Sequence, residues 1–335
     1  MRILFLCSKK IYTSKMSRVR FHGISAIARH RETEVILDGP GWADFIDASI
    51  SEQKHDPDLV VWYKPLDIPG YDRVKAPKCI RYNELWAKDW SQKEITQSKS
   101  GLVICHHFND IERYRGRLNP NQYKLVHNPH CGETNIFRDY NQKKDIDVLL
   151  VGILSKKVYP LREKAYNKIA KHIRKNGFTF QRHKHPGYKL KGLEGINKQV
   201  KEYAKAINRA KIVITDASTY KYALAKYVEI PLCNTAIAGN IPHENQAWFR
   251  KFLIELNNDK KANKLADKIC AYLTSGEWKK LAKIGHDENL RHRTQEHYAR
   301  RFVNIAKDYL SGEMDDYDFT KDSVGYLNGK DGKHE

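Results

Sequence analysis

The sequence predicts an α/β chain built as two consecutive Rossmann-like domains. Short apolar runs alternate with helical stretches, which is the pattern of a parallel sheet covered on both faces. The alternation is interrupted by a Pro/Gly/Asn-rich turn within 123–137 and then begins again. The chain of 335 residues is long enough for two domains, each with its own core.

The elements follow in order. "RILFLC" (2–7) reads as a first strand and "RVRFHGISAIARH" (18–30) as a helix. "TEVILD" (33–38), "DLVVWYK" (58–64), "KCIRYN" (78–83) and "GLVICHH" (101–107) are further buried strands. "YKLVHNPHCGETNIF" (123–137) carries one more strand and then the turn, so a linker is expected near 138–145. The second array opens with the strand "DIDVLLVGIL" (145–154) and the amphipathic helix "LREKAYNKIAKHIRKNG" (161–177), stopped by Gly177. "FTFQRH" (178–183) is a strand. Val200, Tyr203, Ala204 and Ile207 recur at helical spacing before the strand "KIVITD" (211–216). A helix through about Cys233 leads to the strand "TAIAG" (235–239), and helices dominate from about 245 to 310. These divisions give domains at 1–140 and 141–290 and a disordered tail at 311–335. In such sheets ligands bind beyond the carboxyl ends of the strands. A cleft between the domains is therefore the expected site.

Composition narrows the function. No apolar run reaches the ~18–20 residues of a membrane span, and the N-terminus reads as a strand and not a signal peptide. The six cysteines are scattered without metal-type spacing, as expected of reduced thiols in a cytoplasmic protein. The net charge of +20, spread along the chain, points either to a solubilising surface or to an anionic partner. That partner is a nucleic acid, an anionic membrane surface contacted peripherally, or a phosphorylated small molecule. The phosphate loop of ATPases and the GxGxxG of dinucleotide enzymes are both missing. His106, His107, His127, His130 and Cys131 lack zinc spacing.

One acid stands out. "DASTYKYALAKYVEIPLCNTAIAG" (216–239) runs from a small-residue loop into a helix bearing Glu229, then Pro231 and a short apolar strand. This course resembles the nucleotide-binding domain of GT-B glycosyltransferases, the group 1 (family 4-like) and CgeB-like enzymes. The resemblance implies the GT-B architecture, with the C-terminal helix "TQEHYARRFVNIAKDYL" (294–310) returning to the first domain. It implies a metal-independent transferase with no cofactor, whose donor is a nucleotide-diphospho-sugar, UDP- or GDP-linked, and whose acceptor is a glycan or other hydroxyl. Glu229 would accept hydrogen bonds from both ribose hydroxyls. "VGILSKK" (151–157) matches the segment that grips the diphosphate, so Gly152, Lys156, Lys157 and the following Arg162 are assigned there. Ser218, Thr219 and Lys221 join them as a helix N-terminus with a nearby cation. His183 and His185 fall where the family contacts the base.

Three positions depart from the family pattern. Lys221 stands where retaining members have a second Glu, Ile153 replaces the diphosphate Arg, and Asn234 replaces the Gly after Cys233. For an inverting reaction the base candidates are His106, His107 and Asp110 of "CHHFND", with His22 as a substitute. Two other readings stand beside this one: a nucleic-acid-binding protein using the +20 charge, and a non-catalytic sugar-nucleotide binder on the same fold. The acidic "DDYD" (315–318) lies in the tail and is discounted as a metal motif.

Overall fold

The computed structural model describes residues 1–14, 18–82, 85, 88–114, 116–185 and 192–314. It divides into two units, Met1–Pro129 with Gln295–Glu335, and His130–Thr294. The chain changes unit at 129/130, ahead of the expected 138–145 linker, and changes back at 294/295. The tail from 315, with "DDYD", and residues 186–191 lie outside the described residues.

The first unit contains strands β1 (Arg2–Leu6), β2 (Glu34–Asp38), β3 (Leu59–Trp62), β4 (Lys78–Tyr82), β5 (Leu102–Cys105) and β6 (Lys124–His127). All pair in parallel in the order β2-β1-β3-β4-β5-β6. The second contains β7 (Ile146–Val151), β8 (Phe180–His183), β9 (Ala210–Ile214), β10 (Ala236–Gly239) and β11 (Leu253–Glu255), ordered β11-β10-β9-β7-β8 and also parallel. Both sheets follow one rule. The first strand pairs with the second on one side, and the chain then crosses to its other side. The carboxyl ends of β1/β3 and of β7/β9 are therefore the topological switch points.

Strand pleat sorts each core. Val148, Leu150, Ile212, Ile214, Ala236 and Ala238 occupy alternate positions and share one face of the second sheet. There they meet Leu161, Ala165, Ile169 and Ile173 of the helical stretch 160–175, and Leu265, Ile269 and Leu273 of helix Ala262–Ser275. The stretch 160–175 contains a π-helical turn, Ala165–Ile169, that the apolar spacing does not announce. Gly177 ends it with a φ of +81°. In the first unit Leu4, Leu6, Val60, Trp62, Ile80 and Val103 line one face against Ile95 and Ile111. Helix Gln295–Leu310 packs on helix Arg18–Ala28, where Gly23 leaves room for Tyr298: a Cβ would lie 3.1 Å from its Cε1.

Strand β11 went unread because its three residues are too few to show alternation beside the aromatic run at 248–252. Pro231 sits inside helix Lys226–Leu232, where it removes a backbone donor. Gly285, on helix Trp278–His292, lets the two helices close: a Cβ there would stand 3.2 Å from that of Pro231.

At the amino end of the second sheet, Lys144 is held by Asn234 O (2.9 Å) and Thr235 Oγ1 (2.7 Å). Burial outweighs the attraction of Asp139 and Cys233 and pushes its ammonium down to about 8. Between that value and the ordinary lysine value the unfolded chain binds the extra proton, so this group's contribution to stability rises with pH. The thermal midpoint of the wild type relative to Lys144→Met is expected to stay flat below pH 8 and climb from pH 8 to 10. A constant difference over that range would mean that Lys144 is not desolvated.

Candidate functional site

β7 ends at Val151, and Gly152 turns the chain with a φ of +100°. That conformation favours glycine. A Cβ at Gly152 would stand 2.7 Å from Nη1 of Arg162, so the missing side chain is also the space the guanidinium fills. Arg162 is 2% exposed. Its Nη1 donates to Ile153 O (3.4 Å), and its Nη2 to Asp216 O (3.2 Å) and Thr215 Oγ1 (3.4 Å). Its Cζ lies 3.9 Å from the ring centre of Tyr159. One arginine thus ties the end of β7 to the end of β9 across the switch point. The sequence reading makes Arg162 a free phosphate ligand, whereas the structure uses it as a strap, with only the buried Nε lacking a partner.

Asp216 completes the tie. Its Oδ2 accepts from the N–H of Leu161 (2.7 Å) and Arg162 (3.3 Å), two donors that helix Pro160–Lys164 leaves unsatisfied at its start. Its Oδ1 accepts from Ser218 N (2.8 Å). Asn240, after β10, accepts from Ala217 N (2.8 Å) through Oδ1, and its carbonyl accepts from the Tyr227 hydroxyl (2.6 Å).

These bonds shape the segment that follows β9. Ser218 and Lys221 adopt left-handed φ values of +66° and +56°, and Lys221 N donates to Ser218 O (3.1 Å). Ser218, Thr219 and Lys221 therefore form a turn, and the Glu229 helix starts only at Lys226. The sequence reading puts them at the start of that helix. The side chains of Asp216 and Asn240 compete for the backbone and delay the helix. Thr219 N donates to Val158 O (2.9 Å), so this turn is bonded directly to the loop carrying Lys156 and Lys157. Lys156, Lys157, Thr219 and Lys221 are exposed, and Ser218 is buried beneath them.

Glu229 is 4% exposed, so it does not ride on an open helix face beside Lys226. It lies in the first turn of helix Lys226–Leu232, where unsatisfied N–H groups favour a carboxylate. His183, the last residue of β8, packs on Tyr203 (ring centres 5.4 Å apart), and His185 beyond it is half-buried.

The expected bases belong to the first unit, and three of them are enclosed. His106 and His107 are buried at the end of β5, and His106 Nδ1 bonds Asn128 O (2.8 Å). Burial, with Arg81 beside it, holds the His106 pKa well below the ordinary histidine range. Asp110 accepts from Leu85 N (2.9 Å) and Arg113 Nη1 (3.3 Å). A base must be reached by the hydroxyl it deprotonates. His22, half-buried on helix Arg18–Ala28, is the more open of the four. His127 and His130 are buried as well. Among the described residues no three His, Cys, Asp or Glu side chains are grouped to hold a metal ion.

Sequence reasoning missed Asp216 and Asn240. The available signal was a polar residue directly after the apolar run of β9 or β10, where a strand end meets a turn.

No protein-family profile matches the chain, and no curated protein sequence matches it. Solved structures do. Sucrose-phosphate synthase from Thermosynechococcus elongatus superposes with a TM-score of 0.62 at 13% identity, over 93% of this chain and 100% of that one. Anabaena HepE in complex with UDP-glucose gives 0.59 at 12% identity, over 93% and 100%. A glycosyltransferase from Rickettsia africae gives 0.56 at 11% identity, over 92% and 98%. The fold is GT-B. Within the GT-B frame, the second unit carries Glu229 and the exposed lysine loops, and the first carries the buried His106, His107 and His127. No helix among the described residues is long and apolar enough to cross a membrane.

Gly152→Ala is expected to unseat Arg162 and lower the thermal midpoint by several degrees, because strained φ and the displaced guanidinium together cost about 1–3 kcal/mol. Gly177→Ala is the control: its φ is also positive, but nothing lies within 4 Å of the added Cβ. Equal losses in the two variants would show that the Gly152–Arg162 approach is unimportant.

Proposed function

We propose that this GT-B protein transfers a sugar from a nucleotide-diphospho-sugar, UDP-linked, to a hydroxyl of a glycan or related acceptor. The observation that carries the proposal is the Thr219 N–H to Val158 O bond, which joins two lysine-bearing loops at the β7/β9 switch point. A switch point is where such sheets receive ligands. Lys156, Lys157 and Lys221 would face the diphosphate there, and the backbone N–H groups of the 218–221 turn would assist. Glu229 would take the ribose diol, and His185 lies on the segment that would approach the base. The solved complexes with UDP and UDP-glucose support a uridine donor.

The chemistry follows from charge. When the anomeric carbon leaves the diphosphate, negative charge grows on the departing oxygen. Fixed cations stabilise that charge more in the transition state than in the bound donor. Lysine suits the task as a compact point charge with rotatable donors. Lys221 stands in place of the second acid of retaining enzymes, which favours displacement with inversion, and the anomeric configuration of the product reads this directly.

Glu229→Gln should keep the fold and weaken UDP binding on the order of tenfold or more, since a charge-assisted contact is worth about 1.5–3 kcal/mol. Calorimetric titration checks it, and unchanged affinity in a folded variant would take Glu229 out of the site. Lys156→Gln combined with Lys157→Gln should weaken UDP more than uridine, because only the former carries the diphosphate. A parallel loss for both ligands would move the phosphate grip elsewhere.

A further inference from the structure

The chain's positive charge is not evenly spread, as the sequence reading has it. Of the 60 lysines and arginines, residues 130–294 hold 33, but of the 40 acids they hold only 16. The first unit is close to balanced, and some of its exposed cations are paired: Arg2 with Glu34 (3.1 Å), Arg29 with Glu296 (3.5 Å), Arg73 with Asp47 (2.5 Å). Parts of the second unit are paired too, as in Arg209–Asp145 (2.6 Å), Lys211–Asp147 (2.6 Å) and Lys283–Asp287 (2.5 Å).

The helical stretch 160–175 differs. Lys168, Lys171 and Lys175 recur at i, i+3 and i+7 and are all exposed, while Ile169, Ala170 and Ile173 between them fill the core. Helix Ala262–Ser275 packs alongside, shares that core and exposes Lys264. Among the described residues no carboxylate pairs with any of these four lysines. Tyr166, 46% exposed, lies on the same stretch, its ring under Arg182 (5.0 Å).

We propose that this two-helix face docks the second unit onto an anionic lipid surface. Two adjacent helices with unpaired lysines on the side away from their sheet suit a plane of headgroups, which asks for charge and no fixed geometry. Nucleic acid asks for more. Single strands need several free aromatic platforms, and this stretch exposes one ring, Tyr166, with Arg182 5.0 Å above it. Specific phosphate and base contacts favour the arginine fork, and Arg174 on this face turns its Nη2 back to Phe180 O (3.0 Å). A tyrosine with an apolar ring and polar tip fits the headgroup level.

The test is sedimentation of the full chain with vesicles of phosphatidylcholine alone or mixed equally with phosphatidylglycerol. Each lysine near an anionic bilayer contributes about fivefold in partitioning. Binding to the mixed vesicles only, released by raising salt from about 0.1 to 0.5 M, is the expected result. The variant K168E/K171E/K175E/K264E should lose it on the order of a hundredfold or more while still binding UDP, and the milder K171Q/K175Q should lose it in part. No binding to the mixed vesicles, equal binding to the neutral ones, or undiminished binding by folded variants would overturn the proposal. Tighter binding of a random DNA duplex at the same salt, lost in the same variants, would give the face to nucleic acid and overturn it equally.

Discussion

The switch point of the second unit depends on one buried ion: the Arg162 guanidinium, spread between the ends of β7 and β9. Parallel strands cannot bond each other beyond their last paired residues, and the chain leaves β7 and β9 in different directions. Left alone, the two exits would splay and their carbonyls would turn to water. Arg162 satisfies two of these carbonyls and the Thr215 hydroxyl at once, and Asp216 returns the favour by capping the helix on which Arg162 stands. The arrangement is circular, since the helix holds the arginine, the arginine holds the strand exits, and the exit of β9 supplies the acid that starts the helix. The turn that carries Lys221 hangs from this ring through Ser218 N on Asp216, and Thr219 N on Val158 O joins it to the loop of Lys156 and Lys157. Burying a charge is costly unless it is hydrogen-bonded, and here the cost is met by backbone groups that would otherwise be unsatisfied themselves.

The sequence made the framework legible because parallel strands buried on both faces leave continuous apolar runs. Among the described residues ten of the eleven strands correspond to such runs, and the GT-B order follows from their alternation with helices. Glu229 was legible for the opposite reason, as an acid among apolar neighbours. Arg162 was visible only as one more cation after a strand. Its conversion from ligand to strap depends on Gly152, Thr215 and Asp216, contacts that arise in space between residues far apart in the chain. The delayed start of the Glu229 helix was hidden in the same way, because the competing acceptor Asn240 lies some twenty residues downstream. The histidines of "CHHFND" show the limit of a strand-end rule. Strand ends face the ligand side on average, but in a sheet covered by helices the last side chains can still lie inside.

Charge and burial divide the labour between the two units. The second keeps its cations exposed on loops and helices, where they retain hydration and remain available to an anion. The first carries nearly equal numbers of cations and acids, and it buries His106 beside Arg81, where a neutral ring is favoured.

The assignment of helix Gln295–Leu310 to the first unit bears on how the chain is made. Six strands of that unit leave the ribosome early, yet the helix that covers Gly23 and supplies Tyr298 and Phe302 to its core is synthesised after the whole second unit. Ile24 and Ile27, buried in the finished protein, have no cover from this helix during that interval. The second unit is contiguous in sequence and can complete its core as soon as it emerges. The half translated first is thus the half finished last, and a nascent chain stopped before Gln295 presents an apolar seam that the complete protein never shows.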